Sequence, residues 1–409
     1  MVEVLYPHCA GLDVHKDSVV ACVRLQEGAV ARHEIETFGT TTKALLALAD
    51  WLAERKVSHV AMEATGVYWR PPWHVLEGSF TLVLANAMHI KNVPGRKTDV
   101  NDATWIADLL AHGLIRSSFV PPAPIQELRT LMRTRKQLVR ERGQHVLRIQ
   151  KTLEDTNLKI ASVVSDIIGV SGHAILRALI AGETDPEKLL AVTTGRLHAD
   201  RASLLEALHG RVRPPHRFLL KLHLGQVEAI NEAIAAVDAE VGTLLDPFRQ
   251  DLQRLSTIPG VGTIAAQVIL SEVGVDMTRF PSVGHLISWA GLCPRNDESA
   301  GKRRSTRLRQ GAPWLKDLLV QCAWAAVRVR TSYLRAQFLR LKSRRGPRKA
   351  IVAVAASILT AVYFIIRDGV DHHDLGSDYF DRSDKTRATS RLVRRLKELG
   401  YQVELKAVA

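Results

Sequence analysis

Ala10-Gly11-Leu12-Asp13-Val14 sets a carboxylate inside an apolar run of strand length, and Ser58-His59-Val60-Ala61-Met62-Glu63 ends a second such run on another. An acid in such a place must be paired, solvated at a sheet edge, or bound to a cation, because a bare buried carboxylate is costly. Asp99 and Asp102 open a helical pattern that continues through Trp105, Ile106, Leu109 and Leu110. A spacing of three puts both on one helical face, and acids also suit a helix N-terminus by capping it and meeting its dipole. Four converging carboxylates cannot all stay ionised unless a cation neutralises them, and oxygen-only ligands select hard divalent ions. Asp13, Glu63, Asp99 and Asp102 are therefore the candidate metal ligands, for Mg2+ first and Mn2+ second. Asp17, in the His15-Lys16-Asp17-Ser18 turn, and Asp108, on another side of its helix, are left out.

Outward from these acids, the pattern predicts strands near Ala10–Val14, Ser18–Leu25, Ala29–Glu36, Ser58–Met62 and Thr81–Ala85. Helices are expected over Thr42–Glu54, Trp69–Glu77 and Val100–His112, with Gly28, Gly39 and the threonines at 40–42 supplying breaks and caps. A three-strand meander followed by strands joined through helices is the order of the ribonuclease H fold. There, carboxylates on the first strand, the fourth strand and the last helix meet at one edge.

The chain has 409 residues, enough for two or three domains, and its 46% apolar and 24% charged content is that of a globular protein. Four cysteines form no CxxC pair, which points to a reduced, intracellular protein rather than a disulfide scaffold. No charged-then-apolar leader opens the sequence. The charge-free run Ala350–Ile366 spans 17 residues, short for a membrane crossing, and is expected to be a core helix. Net charge is +14, but residues 1–110 hold ten Lys/Arg against thirteen Asp/Glu, so the excess lies downstream. Residues 302–349 alone contain fifteen Lys/Arg and a single acid, Asp317, a density that suits a polyanion such as nucleic acid.

After Pro121, Pro122 and Pro124 the chain reads as helical. Leu128, Leu131, Met132, Leu138, Val139 and Val146 form one stripe, with arginines and lysines on the remaining faces. A second run, Phe218–Leu255, places Leu222, Val227, Ile230, Ile234, Val237 and Val241 on another. Antiparallel packing as a hairpin or as an intermolecular coiled coil fits both. Shorter helices are expected from Ser162 to Ala181 and around Glu187 and Ser203. Ile258-Pro259-Gly260-Val261-Gly262 before an apolar helix is like a helix-hairpin-helix element, whose glycine turn can offer N–H groups to a phosphate, or it is a plain turn. A loop from Cys293 to Gly311 follows the helix Val283–Ala290, and a long basic helix, Trp314–Lys342, follows the loop. His372-His373 beside acids reads as solvated. A final basic helix lies near Ser390–Leu399.

Gly11-Leu12-Asp13-Val14-His15-Lys16, Met62-Glu63-Ala64-Thr65-Gly66 and Lys97-Thr98-Asp99-Val100-Asn101-Asp102-Ala103 recur with Pro259-Gly260-Val261-Gly262 and Gly291-Leu292-Cys293-Pro294 in one chain. In this order they resemble the transposases of the insertion-sequence 110 family, also called DEDD transposases. The resemblance covers residues 8–120 and 250–345. It implies a RuvC-like catalytic domain (1–120), a helical coiled-coil region (121–250), a helical transposase domain (251–345) and a C-terminal helix and tail (346–409). It further implies an RNA-guided recombinase acting on donor and target DNA, directed by a structured noncoding bridge RNA. Asp13, Glu63, Asp99 and Asp102 take the place of the family's metal-binding tetrad. Ser299, an ordinary loop serine by composition, takes that of its nucleophile. The family's Ser-Gly step is Ser299-Ala300 here, which leaves Ser305 as a second candidate. A cytoplasmic, nucleoid-associated dimer or tetramer with no membrane partner is expected. Competing readings are a site-specific invertase of the same family, a metal-dependent RuvC-like junction nuclease that uses water, and a non-enzymatic nucleic-acid-binding protein.

Overall fold

The computed structural model describes residues 4–28, 30–87, 90, 93, 101–194, 200–294, 297–305, 307–308 and 311–406. They fall into two compact units, residues 1–120 and 121–409.

The first unit is built on one five-stranded sheet. Its strands are β1 (His8–Val14), β2 (Ser18–Glu27), β3 (Val30–Gly39), β4 (His59–Glu63) and β5 (Thr81–Ala85), in the spatial order β3-β2-β1-β4-β5. β1 to β3 form the antiparallel meander, and β4 and β5 continue the sheet parallel to β1. Parallel neighbours need crossovers, and the helices α1 (Thr42–Glu54) and α2 (Arg70–Leu76) provide them. Thr41 caps α1 by accepting the Ala44 N–H. One sheet face, with Leu12, Val60 and Met62, packs on Leu45, Leu48 and Leu52 of α1. The other face, with Cys9 and Ala61, packs on Ile106, Leu109 and Leu110 of α3 (Asp102–Ala111). A central strand covered on both faces explains why β1 reads as nearly continuous apolar sequence.

The second unit is mostly helical. It contains α4 (Ala123–Asp155), the short helices α5 (Ile160–Val163), α6 (Val170–Ala181), α7 (Pro186–Ala191) and α8 (Arg201–Ala207), then α9 (Pro214–Leu245). Next come α10 (Arg249–Ser256), α11 (Thr263–Val273), α12 (Val283–Trp289), the hairpin β6 (Asp297–Ser299) and β7 (Lys302–Ser305), and α13 (Pro313–Ala326). The chain continues through α14 (Tyr333–Arg345), α15 (Pro347–Asp368), α16 (Tyr379–Ser383) and α17 (Lys385–Glu398).

α4 and α9 pack antiparallel within the one chain: Arg135 pairs with Asp238, Arg142 with Asn231, and His145 with His223. Leu220, Leu224, Val227, Ile234, Val241 and Leu245 form the buried stripe of α9, whereas the expected Leu222 is 45% exposed. The run expected to end at Leu255 is broken after Leu245 by the turn Asp246–Phe248, because Pro247 offers no N–H to continue an α-helix. The single helix expected over Trp314–Lys342 is two helices, α13 and α14. Ser332 caps the second by accepting the Leu334 N–H, and Arg335 donates to the Val327 carbonyl at the end of the first. Two of the backbone groups freed by the break therefore find partners.

α15 carries the charge-free run. It is the one described helix long and apolar enough to cross a membrane, yet 56% of that stretch is buried in this unit, including Val354, Ala355, Ile358 and Val362.

Candidate active site

Strand register brings two of the acids side by side. β1 and β4 align Gly11 with Ala61 and Leu12 with Met62, so the next step sets Asp13 beside Glu63. Side chains alternate along a strand, so Asp13 and Glu63 share the face of Gly11 and Ala61, which is the α3 face. Gly11 makes the approach of α3 possible. A Cβ there would overlap the Ala103 carbonyl oxygen and the Ala107 nitrogen and lie 3.0 Å from the Ile106 carbonyl carbon. With the first turn of α3 resting directly on β1, Asp102 stands at the same end of the sheet as Asp13 and Glu63. Asn101 rather than an aspartate caps this helix, its side chain accepting the Ala103 N–H at 2.9 Å.

Asp13 is partly shielded, with 22% of its side chain exposed, and its Oδ2 lies 3.2 Å from His15 Nε2. Sequence reasoning assigned His15 no role. His15 lies just past the end of β1, in the turn that leads into β2. Asp108, set aside from the sequence, does belong elsewhere: it binds buried Arg24 at 3.1 Å and His33 at 2.9 Å. Asp99 lies outside the described residues. Among the described residues, no group of three His, Cys, Asp or Glu side chains stands together as a metal cage. Carboxylates, here at the ends of β1 and β4 and at the head of α3, are the donor chemistry that a hard divalent ion takes.

The other candidate residues lie in the second unit. β6 and β7 pair with Ser299 opposite Lys302, so Ala300 and Gly301 form a two-residue turn. Both have positive φ, 51° and 72°, as a tight hairpin turn of type I′ demands. Ser299 thus ends a strand at the tip of a hairpin whose returning strand is Lys302-Arg303-Arg304-Ser305. Ser305 pairs with Asp297 at the base, and its hydroxyl accepts the Arg307 N–H at 3.2 Å.

Several basic residues on the polar faces of α4 are spent inside the fold. Glu272, 1% exposed, receives both arms of Arg133 at 2.8 and 2.9 Å, while Arg129 bonds the Glu272 carbonyl at 2.6 Å. Arg140 and Lys136 lie over the Trp314 ring, and burial lowers the Lys136 ammonium below its usual range. The Pro259-Gly260 turn is also a packing device. Gly260 has φ 83°, and a Cβ there would lie 2.6 Å from the Ala326 nitrogen of α13. By contrast Lys342, Arg344, Arg345, Arg348 and Lys349 are all exposed, with no carboxylate in salt-bridge reach among the described residues.

A mixed sheet in this order, with acids at the ends of two adjacent strands and at the head of the helix packed on them, is consistent with a RuvC-like DEDD domain joined to a helical remainder. Comparison with known proteins bears on both parts. A family model for DEDD transposases of the IS110 type, described as a transposase, matches residues 10–158. A second, described as the IS116/IS110/IS902 family of transposases, matches residues 252–339. The chain belongs to this family. Its relatives include the transposase for insertion sequence element IS1111A of Coxiella burnetii, 24% identical over 74% of this chain and 76% of that protein. The IS900 uncharacterized 42 kDa protein of Mycobacterium paratuberculosis is 24% identical over 71% of this chain and 80% of its own length. The IS110 uncharacterized 43.6 kDa protein of Streptomyces coelicolor is 32% identical over 34% of this chain and 35% of its own. The chain is accordingly an insertion-sequence transposase, a DNA-processing enzyme.

Proposed function

We propose that this transposase is an RNA-guided recombinase that cuts and rejoins donor and target DNA by attack of Ser299 on a phosphodiester. The observation that carries the reading is the seating of α3 on Gly11, which sets Asp102 at the sheet edge where Asp13 and Glu63 stand. In this reading Asp13, Glu63, Asp99 and Asp102 hold Mg2+, with Mn2+ as a substitute. Such an ion supplies a Lewis acid that neutralises charge on the scissile phosphate. His15, against Asp13 Oδ2, orients that carboxylate.

Ser299 Oγ forms a bond to phosphorus as the bond from phosphorus to the departing sugar oxygen breaks. The serine proton leaves to a base, and the sugar oxygen takes one up. Phosphodiester energy is kept in a phosphoserine linkage, which a hydroxyl from a second DNA strand then resolves, so no nucleotide cofactor is consumed. Ser299 pairs with Lys302 across the hairpin turn, and the basic sequence that follows would attract a DNA backbone.

A bridge RNA supplies sequence choice by base pairing, with exposed cations of residues 302–349 holding the nucleic-acid backbones. Exchange of two strands needs two sites, hence a dimer or tetramer assembled through the helical region 121–250. In this division residues 1–120 supply the metal site, 251–345 the serine and 346–409 a tail. The protein acts where its DNA is, in the bacterial cytoplasm at the nucleoid.

Ser299→Ala is the test. Loss of both strand exchange and the covalent protein–DNA adduct, with Ser305→Ala retaining them, is the expected result. Cleavage that persists in Ser299→Ala would mean that water is the nucleophile and that the chain is a junction nuclease. Sequencing RNA that co-purifies with the protein tests guidance separately: one structured species encoded beside the gene is expected.

A further inference from the structure

α14 and α17 line a cleft of about 810 Å3 in the second unit. Arg340 and Arg344, one helical turn apart, form one wall; Arg387, Arg391 and Arg394, at intervals of four and three, form the other. Two acids also line it, and both are committed. Asp381 bonds Arg391 at 3.0 Å, and Asp384 caps α17 by accepting the Arg387 N–H at 3.1 Å. Neither Arg344 nor Arg387 has a carboxylate in reach among the described residues.

The cleft is a built feature. Asp374 accepts the N–H groups of Tyr333 and Gly376, both at 2.8 Å, and so ties the tail to the start of α14. Phe380 stacks on Tyr333 with centroids 5.3 Å apart and lies under the Arg340 guanidinium at 4.7 Å. Phe380, Leu339 and Ala388 make an apolar floor between cationic walls. The tail lies beyond residues 252–339, the segment matched by the second family model.

We propose that this cleft binds the sugar–phosphate backbone of a single nucleic-acid strand, giving the protein a second anchoring site made by its C-terminal tail. Guanidinium groups on opposing walls meet successive phosphates. The floor accepts the sugars and bases that a strand exposes and a duplex hides. The proposal rests on the nucleic-acid reading above but not on its chemistry, since it concerns binding rather than strand exchange.

The experiment uses the full chain and fluorescent oligonucleotides of about 16 nucleotides, as single-stranded RNA, single-stranded DNA and duplex. Salt is varied from about 50 to 200 mM. The double variant Arg344→Glu/Arg387→Glu should bind the single strands about tenfold more weakly, with a salt dependence shallower by about one per arginine. Arg344→Lys/Arg387→Lys, which keeps both charges, should retain the parent's salt dependence. Parental affinity and salt dependence in the glutamate variant would overturn the proposal. So would an equal loss in the lysine variant, which would mark a packing role, or a loss as large for the duplex. Stronger competition by poly-glutamate than by oligonucleotide would also overturn it, in favour of a protein partner. A Ser299→Ala chain that keeps strand exchange leaves these results untouched, so the two readings fail separately.

Discussion

Gly11 has no side chain to contribute, and for that reason it decides where the acids of the first unit stand. The absent Cβ lets the Ala103 and Ala107 backbone rest on β1. Gly11→Ala is expected to push α3 outward, costing about 1–3 kcal/mol as overpacking does. Displacing Asp102 should also remove strand transfer even where the unit still folds. Urea unfolding and a strand-transfer assay together check this; full activity in a folded Gly11→Ala protein would separate α3 seating from the chemistry. Asp13 and Glu63 were readable because each interrupts an apolar run. His15 was not, since a polar residue at a turn looks ordinary until the fold sets its ring against Asp13.

At the level of elements, basic residues that look alike in sequence have different fates. Arg129 and Arg133 of α4 are held by buried Glu272 of α11, while the cations around the α14–α15 corner stay exposed. Removing the one carboxylate leaves two guanidinium groups without their anion, so Glu272→Gln should destabilise the second unit by about 3–5 kcal/mol. Thermal or urea unfolding reads that loss, and an unchanged transition would show that the arginines find other partners. Asp374 gives a pH signature. Burial pushes its carboxyl up, but the N–H groups of Tyr333 and Gly376, together with the Ser332 hydroxyl and His372, hold it below its usual range. A carboxyl lowered by folding stabilises the folded form above its unfolded value, about 3.9, and that contribution is lost as pH falls through the folded value. Exchange of the Tyr333 and Gly376 amides should therefore speed up in acid relative to neighbouring helix amides, and Asp374→Asn should remove the pH dependence. Helix ends were the least legible elements. The break between α13 and α14 depends on Ser332 and Arg335 satisfying freed backbone groups, and apolar periodicity carries no sign of it.

Taken whole, the molecule is two units with separate cores, divided between Val120 and Pro121. The first has a sheet covered on both faces by its own helices. Residues 1–120 expressed alone should thus unfold in one cooperative transition. A gradual, non-cooperative melt would show that this unit needs the rest of the chain.

What the sequence determined by itself was local: strand and helix order, the two acidic strand positions and the motifs of both family segments, whereas the stretch from Cys293 to Gly311, expected as a loop, carries the β6–β7 hairpin. Alternation, capping and turn chemistry act over a few residues, so strands such as Thr81–Ala85 could be read to their ends. Tertiary structure alone decided that α4 and α9 pair within one chain, that Glu272 consumes two arginines and that α3 rests on Gly11. Those outcomes join residues far apart in sequence. Which charge finds a partner, and which backbone comes close enough to exclude a single carbon, is settled only when the elements pack.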